Sequence, residues 1–265
     1  MPTPGVTTKE TLLSTADERM TCYVHPKSAA DPSAGQHDRG LDVAGDTASA
    51  YLHWIADLMI PYLGDSALEV GAGHGSVTQH LARDRRFMAT DVSDACLDAL
   101  HSRFDDWSNV EVRRVDLREV DLTESFDSTV IINLLEHIRD DVGALSTLRE
   151  LLKPGGNCLI YVPALNWLYG PWDRDVGHYR RYSKRRLSAV VREAGLQPVE
   201  LRYVNMLAIP AWVLFSSKWL DRDDAERVGR SLQIWDRVGV PLTRAIERRV
   251  PPPVGLNLFC VARRV

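Results

Sequence analysis

One stretch constrains this chain more than any other: the apolar run Ala67 to Val70 passes directly into glycines at Gly71, Gly73 and Gly75. The run predicts a short buried strand. Glycine at alternate positions removes Cβ, so the turn can take positive φ and a ligand can approach the backbone. A helical pattern beginning near Ser76 would aim free N–H groups at that ligand. The stretch reads as a nucleotide-type cofactor loop, which an open α/β sheet carries at the end of a strand.

Two cofactors compete for it. The dinucleotide fingerprint spaces its glycines G-x-G-x-x-G, with an acidic residue about twenty positions on. Here they fall as G-x-G-x-G around Ala72, and Glu69 stands two residues before the first. That spacing resembles motif I of the class I S-adenosylmethionine (SAM) methyltransferases. The resemblance implies SAM as cofactor, with Glu69 serving its cationic amino-acid tail and bare backbone packing against the methionine portion. No Tyr-x-x-x-Lys pair follows the loop, so the dehydrogenase reading finds no support downstream.

The segments that follow strengthen the resemblance. A helix opening near Asp46 or Thr47 carries Tyr51, Trp54, Ile55, Leu58 and Met59 at helical spacing. A second strand, Phe87 to Thr90, ends at Asp91 and Val92. Asp91 lies where a carboxylate accepts both ribose hydroxyls, or it caps the helix that starts at Ala95. A third strand, Val110 to Val115, ends at Asp116 and Leu117. Asp116 binds the adenine amino group there, or it is a solvent-facing turn residue. A fourth, Phe126 to Ile132, is apolar in its second half, as a strand buried on both faces requires, and runs into Asn133-Leu134-Leu135-Glu136-His137. Lys153-Pro154-Gly155-Gly156 then stops a helix before a fifth strand, Asn157 to Val162. In order, these segments resemble motifs I, post-I, II, IV and V of class I methyltransferases, from Ala50 to Val162. The resemblance implies a doubly wound, Rossmann-like seven-stranded sheet, mostly parallel with an antiparallel last strand. It also sets Asn133 and Leu134 beside the cofactor.

The acceptor side is less determined. His137, just past strand four, is a candidate base because imidazole titrates near neutrality; Glu136 orients it or forms the pocket wall. Both have the alternative of capping or packing a turn. The aromatic, charged segment 164–182 follows strand five and is expected to be an active-site loop overhanging the cofactor. Its run Gly177-His178-Tyr179-Arg180-Arg181-Tyr182-Ser183 resembles bacterial methyltransferases of the ubiquinone-biosynthesis type. His178 and Tyr179 form a second candidate catalytic cluster. Trp167, Tyr169, Trp172, Arg180 and Tyr182 are candidate acceptor-binding residues, unless they are structural aromatics in a lid. The basic residues from Arg180 to Arg186 are a solvated helix entrance or an anion site; Asp173 and Asp175 instead suit a cationic acceptor. Ubiquinone-type enzymes have a further acidic residue before the Glu-His pair, where this chain has Asn133, so no metal is expected.

Composition bounds the partners. A net charge of −4 over 265 residues gives no drive toward nucleic acid. Cys22, Cys96, Cys158 and Cys260 are far apart, which suggests reduced thiols and, with no signal-peptide pattern, a cytoplasmic protein. Residues 1–45 read as a flexible arm or lid, and residues 46–265 as the methyltransferase domain. The stretch 206–250 reads as a helical cap insertion; its longest apolar run, Met206 to Phe215, is too short to span a bilayer, but 206–220 suits peripheral membrane contact, or the insertion forms a dimer face. A monomer or homodimer acting on a small-molecule hydroxyl or amine is the expected function. A SAM-binding protein without catalysis, or an enzyme for a lipid or sugar carrier or a macromolecule, remains the alternative.

Overall fold

The computed structural model describes residues 49–216 and 233–265. The expected arm, the Asp46 or Thr47 cap and the middle of the insertion lie outside the described residues. Seven strands form one sheet: β1 (Ser66–Val70), β2 (Arg86–Asp91), β3 (Val110–Arg114), β4 (Phe126–Ile132), β5 (Leu152–Pro163), β6 (Leu196–Val204) and β7 (Asn257–Arg264). Their order is β3-β2-β1-β4-β5-β7-β6. The first five pair in parallel, and β7 is antiparallel to both β5 and β6. The order reverses between β1 and β2 on one side and β4 on the other. An open α/β sheet binds its ligands at the carboxyl ends beside such a switch.

Alternation along the strands builds a core on each face. Leu68, Val70, Met88, Ile160 and Cys260 point to one side, where α4 (Asp141–Glu150) and α6 (Lys184–Glu193) cover them. Ala67, Phe87, Ala89, Leu159 and Phe259 point to the other, under α1 (Ser49–Met59) and α3 (Asp94–Phe104). Caps define the helix starts. Asp140 accepts the Gly143 N–H at 2.9 Å, and Ser183 accepts that of Arg186 at 3.2 Å.

Three local expectations change. The helix expected from Ser76 is a single turn, α2 (Thr78–Leu81), because the chain must drop back to the β2 edge within a few residues. Lys153 to Gly156 does not precede the fifth strand but sits inside it. The register jumps from Phe126 opposite Leu152 to Ser128 opposite Asn157, so the glycines form a bulge. Cys158 and Cys260 are free and buried, whereas Cys96 is disulfide-bonded, which departs from four reduced thiols.

The insertion is helical where described. Helix α7 (Ala208–Ser216) follows β6. A π-helical turn, Trp235–Gly239, runs into α8 (Val240–Glu247). Among the described residues no helix is long and apolar enough to cross a membrane.

Candidate active site

The glycine loop leaves β1 with Gly71, Gly73 and Gly75 all at positive φ. Two of them are required for different reasons. A Cβ on Gly75 would lie 2.5 Å from the Phe104 ring, so that glycine lets α3 pack against the loop. A Cβ on Gly73 would meet no protein atom within 4 Å. The space above Gly73 is left open, as a ligand cradle requires.

Two carboxylates frame the loop. Glu69 on β1 is buried and accepts the Thr78 hydroxyl at 2.7 Å. Burial pushes its carboxyl up to about 7, against the Thr78 bond, and the nearby Asp91 adds to the rise. Asp91 ends β2. One of its oxygens accepts the Gly73 N–H at 3.0 Å; the other accepts those of Val92 and Ser93 at 2.8 and 3.0 Å. Burial raises its pKa too, despite these three donors. Asp91 thus ties the second strand to the loop, and Val92 beside it is 48% exposed, an apolar side chain open to the cradle's rim. Asp116 is engaged by its neighbour: Arg118 Nε lies 2.9 and 3.0 Å from its two oxygens. Leu117 packs partly onto the core.

Past β4 the chain turns sharply. Asn133 takes φ 47° while its N–H donates to Tyr161 O at 2.8 Å, and Leu134 leads into a 3-10 turn, Leu135–His137. Glu136 has no exposed surface, and neither carboxylate oxygen has a hydrogen-bond partner. The His178 Nε2 lies 3.9 Å from its Oε1. Burial lifts the Glu136 carboxyl to about 8, with its own backbone N–H and Arg181 pulling it down and Asp173 adding to the rise. A buried carboxyl with no side-chain donor is costly, which marks Glu136 as a candidate functional group. The His137 ring stands edge-on to the His178 ring at 4.6 Å.

The loop after β5 delivers His178 from far along the chain. Tyr179 N–H donates to Glu136 O at 2.8 Å, which stitches the loop onto the 3-10 turn. His178 Nδ1 lies 2.9 Å from Asp173 Oδ1, on the short helix α5 (Pro171–Asp175). Arg181 Nε reaches the same oxygen at 2.7 Å. Burial alone would raise the Asp173 carboxyl, but His178, Arg181 and the Gly170 N–H together hold it below its usual value. The Arg181 guanidinium also lies over the Trp212 ring at 4.7 Å, and Trp212 meets Trp172 edge-on, so α7 roofs this cluster. Glu136, His137 and His178 each offer a donor atom within 4.8 Å of the others. No metal was expected on account of Asn133; these three nonetheless have the spacing and donor types of a divalent-metal site.

Several acceptor-side expectations are redirected. Tyr182 has no exposed surface; its hydroxyl donates to Asp141 at 3.0 Å, beneath α4, so it belongs to the core and not to a pocket wall. Arg180 is paired with Asp141 at 2.6 Å and donates to Arg139 O, and Arg186 lies 3.1 Å from the same carboxylate. The basic run is therefore largely neutralised by Asp141 and Asp173, and Asp173 is fully engaged with partners inside the chain. Tyr179 is half exposed, and its ring stacks under Arg180 outside the histidine cluster. Trp167 is 69% exposed, while the Tyr169 hydroxyl bonds His178 O at 2.8 Å. Thr78 and Asp141 carry the site's structure without having been singled out, and Arg181, read only as part of the basic run, is the partner of Asp173.

A glycine loop on β1, a carboxylate ending β2, a Glu-His turn on β4 and a reversed last strand coincide with a family model described as a methyltransferase domain, which matches residues 68–158. The matched region is a methyltransferase domain, in a chain with the Rossmann-like methyltransferase fold. The matched domain and the fold imply use of SAM. The chain is 26% identical over 111 residues to the ubiquinone biosynthesis O-methyltransferase of Acinetobacter baylyi, covering 40% of this chain and 47% of that one. It is 34% identical over 112 residues to a ribosomal RNA small subunit methyltransferase A of Methanosarcina mazei, covering 42% and 40%. The chain thus spans less than half the length of these curated relatives. Among solved structures it resembles the Haloferax volcanii chain determined in complex with the Trm112 methyltransferase activator. The TM-score is 0.59 at 19% identity, over 84% of this chain and 93% of that one.

Proposed function

We propose that this chain transfers the SAM methyl group to a hydroxyl or amine nitrogen of a small acceptor held over Glu136, His137 and His178. One observation carries the reading. The strands bearing the glycine loop and the Glu-His turn are neighbours in the sheet, and the turn holds an unpartnered buried carboxyl beside two imidazoles. In this reading Gly71, Ala72, Gly73 and Gly75 receive the methionine moiety, and Glu69 answers its ammonium. Asp91 takes the ribose hydroxyls, Val92 and Leu117 flank the adenine beside Asp116, and Asn133 and Leu134 close the cradle next to the sulfonium.

Transfer is an in-line displacement on an already activated methyl, so positioning and exclusion of water supply much of the rate. His137 removes the acceptor proton, and Glu136, with a pKa near working pH, positions the same hydrogen bond. Trp167, Tyr169 and Trp172 form the aromatic rim of the acceptor side. Incubation of the full chain with labelled SAM and a panel of phenols, amines and sugars tests the reading through release of S-adenosylhomocysteine. Labelled product from RNA alone would move the acceptor to a macromolecule, and SAM binding without any product would make the chain a binder.

The two free oxygens of Glu136 favour a second reading of the same atoms. Glu136, His137 and His178 fit a divalent cation, which when bound would hold an acceptor oxygen and lower its pKa. Elemental analysis of the purified chain, against a Glu136→Gln variant, distinguishes this from proton transfer by the side chains alone.

A further inference from the structure

The helical segment 233–250, which returns the chain to β7, places its charges unevenly. Its two acids both face inward. Asp236 accepts the N–H groups of Ala50 and Tyr51 at 3.1 and 2.9 Å, and Glu247 accepts those of Asn205 and Met206 at 3.2 and 2.8 Å. Val240 and Thr243 are buried on the same side. The outer side carries Ile234, Val238, Leu242 and Ile246, each four residues from the next, at 67, 63, 53 and 37% exposure, with Val250, 62% exposed, just past the end of α8. Residues four apart are neighbours on a helix surface, so the first four form one apolar stripe along the π-helical turn and α8. Arg237, Arg248 and Arg249 fringe it, all exposed; among the described residues of the segment no acid interrupts it, and Arg244 beside it is paired with Asp57 of α1.

We infer that this face is an interfacial docking surface for an anionic phospholipid bilayer. An amphipathic helix lying in a membrane plane has this arrangement: aliphatic side chains at the acyl boundary and arginines whose long stems reach up to the headgroups. Anionic lipid adds attraction for each basic group near the surface. The charge pattern argues against a second copy of the chain as occupant. A two-fold contact would set Arg237, Arg248 and Arg249 against their own equivalents, and Asp57, the exposed acid of α1 that meets this segment, is already paired with Arg244. The surface is distinct from 206–220, the apolar stretch that the sequence alone points to. There Trp212 is turned inward onto Trp172 and Arg181. Segment 233–250 is anchored next to the end of β6 through Glu247, so docking would lay the carboxyl edge of the sheet beside the lipid surface.

The test is co-sedimentation of the full chain with vesicles of equimolar phosphatidylglycerol and phosphatidylcholine, and with phosphatidylcholine alone. The anionic vesicles should retain the chain, and high salt should weaken retention. A Val238→Glu, Leu242→Glu double variant should bind at least about tenfold more weakly, with an unchanged melting temperature and unchanged SAM affinity by calorimetry. Arg248→Glu with Arg249→Glu, equally exposed, should remove the preference for anionic lipid and serves if the first pair disturbs folding. Absence of retention on anionic vesicles, or parent-like retention of both variants, overturns the proposal. So does a concentration-dependent dimer that Val238→Glu, Leu242→Glu abolishes.

Discussion

Asp173 grips His178 twice: its carboxylate meets the ring Nδ1 at 2.9 Å, and its carbonyl oxygen accepts the His178 backbone N–H at 2.7 Å. A carboxylate on Nδ1 fixes the tautomer that leaves Nε2 as the acceptor, facing Glu136. If His178 acts on the acceptor, Asp173→Asn should lower turnover by at least roughly tenfold. SAM affinity should stay within about twofold, because the loop carboxylates are untouched. The variant also leaves Arg181 with a weaker partner, so a stability loss of about 1–3 kcal/mol is expected in thermal melts. Unchanged turnover at saturating acceptor would make the Asp173 grip purely structural.

With Glu69 at the ammonium site as proposed, cofactor binding becomes pH-dependent. Its carboxyl sits at about 7 in the folded chain against an ordinary 4.5. Between those values the folded state holds a proton that the unfolded state has lost. Stability therefore falls as pH rises through that window, by an order of 3 kcal/mol once pH passes the folded value. The cationic tail of SAM favours the ionised form, so affinity should rise as pH climbs through about 7. Isothermal titration and melting curves across that range check both signs. Glu69→Gln should weaken SAM binding and remove its own contribution from both pH profiles. Affinity that falls with rising pH would remove Glu69 from the ammonium site.

Gly73 and Gly75 separate binding from folding. Gly73→Asp meets open space, and Asp tolerates positive φ better than most residues. It should fold at a cost of roughly 1 kcal/mol while abolishing measurable SAM binding, because its carboxylate occupies the methionine position. Gly75→Ala instead drives a methyl into Phe104 and Leu100. Overpacking plus backbone strain should cost about 2–4 kcal/mol, and the melting temperature should drop before any cofactor is added. Calorimetry on both variants, beside melts without ligand, would reverse the assignment if Gly73→Asp bound SAM normally.

Much of the sheet was legible because its strands are central, short and bounded by turn residues, and because Glu69, Asp91 and Glu136 each stand at or just past a strand end. The rest depends on contacts no spacing reveals. Glu136 and His137 suggested a site, but His178 is held beside them by the Tyr179 N–H on Glu136 O and by the Asp173 grip, from forty-odd residues away in sequence. The basic run from Arg180 to Arg186 looked available to an anion; its partners, Asp141 and Asp173, come from other elements. The single-turn α2 follows from how quickly the chain must reach β2, which local helical periodicity does not register.

Tyr182 gives a clean test of that distinction. Aromatic, and four residues past His178, it suggests an acceptor contact, yet its ring is buried between α4 and α6, and its hydroxyl donates to Asp141 at 3.0 Å. Burial and the Asp141 charge push its pKa far above the usual phenol value, so it stays protonated and donates to Asp141. Tyr182→Phe keeps the ring and removes that donor from an acceptor that Arg180 and Arg186 also serve. The expected loss is about 1–2 kcal/mol of stability, read as a lower melting temperature. KM for the acceptor and kcat should stay within about twofold, because the hydroxyl faces α4 and not the histidine pair. A raised KM at unchanged stability would return Tyr182 to the acceptor pocket and require the 164–182 loop to rearrange when substrate binds.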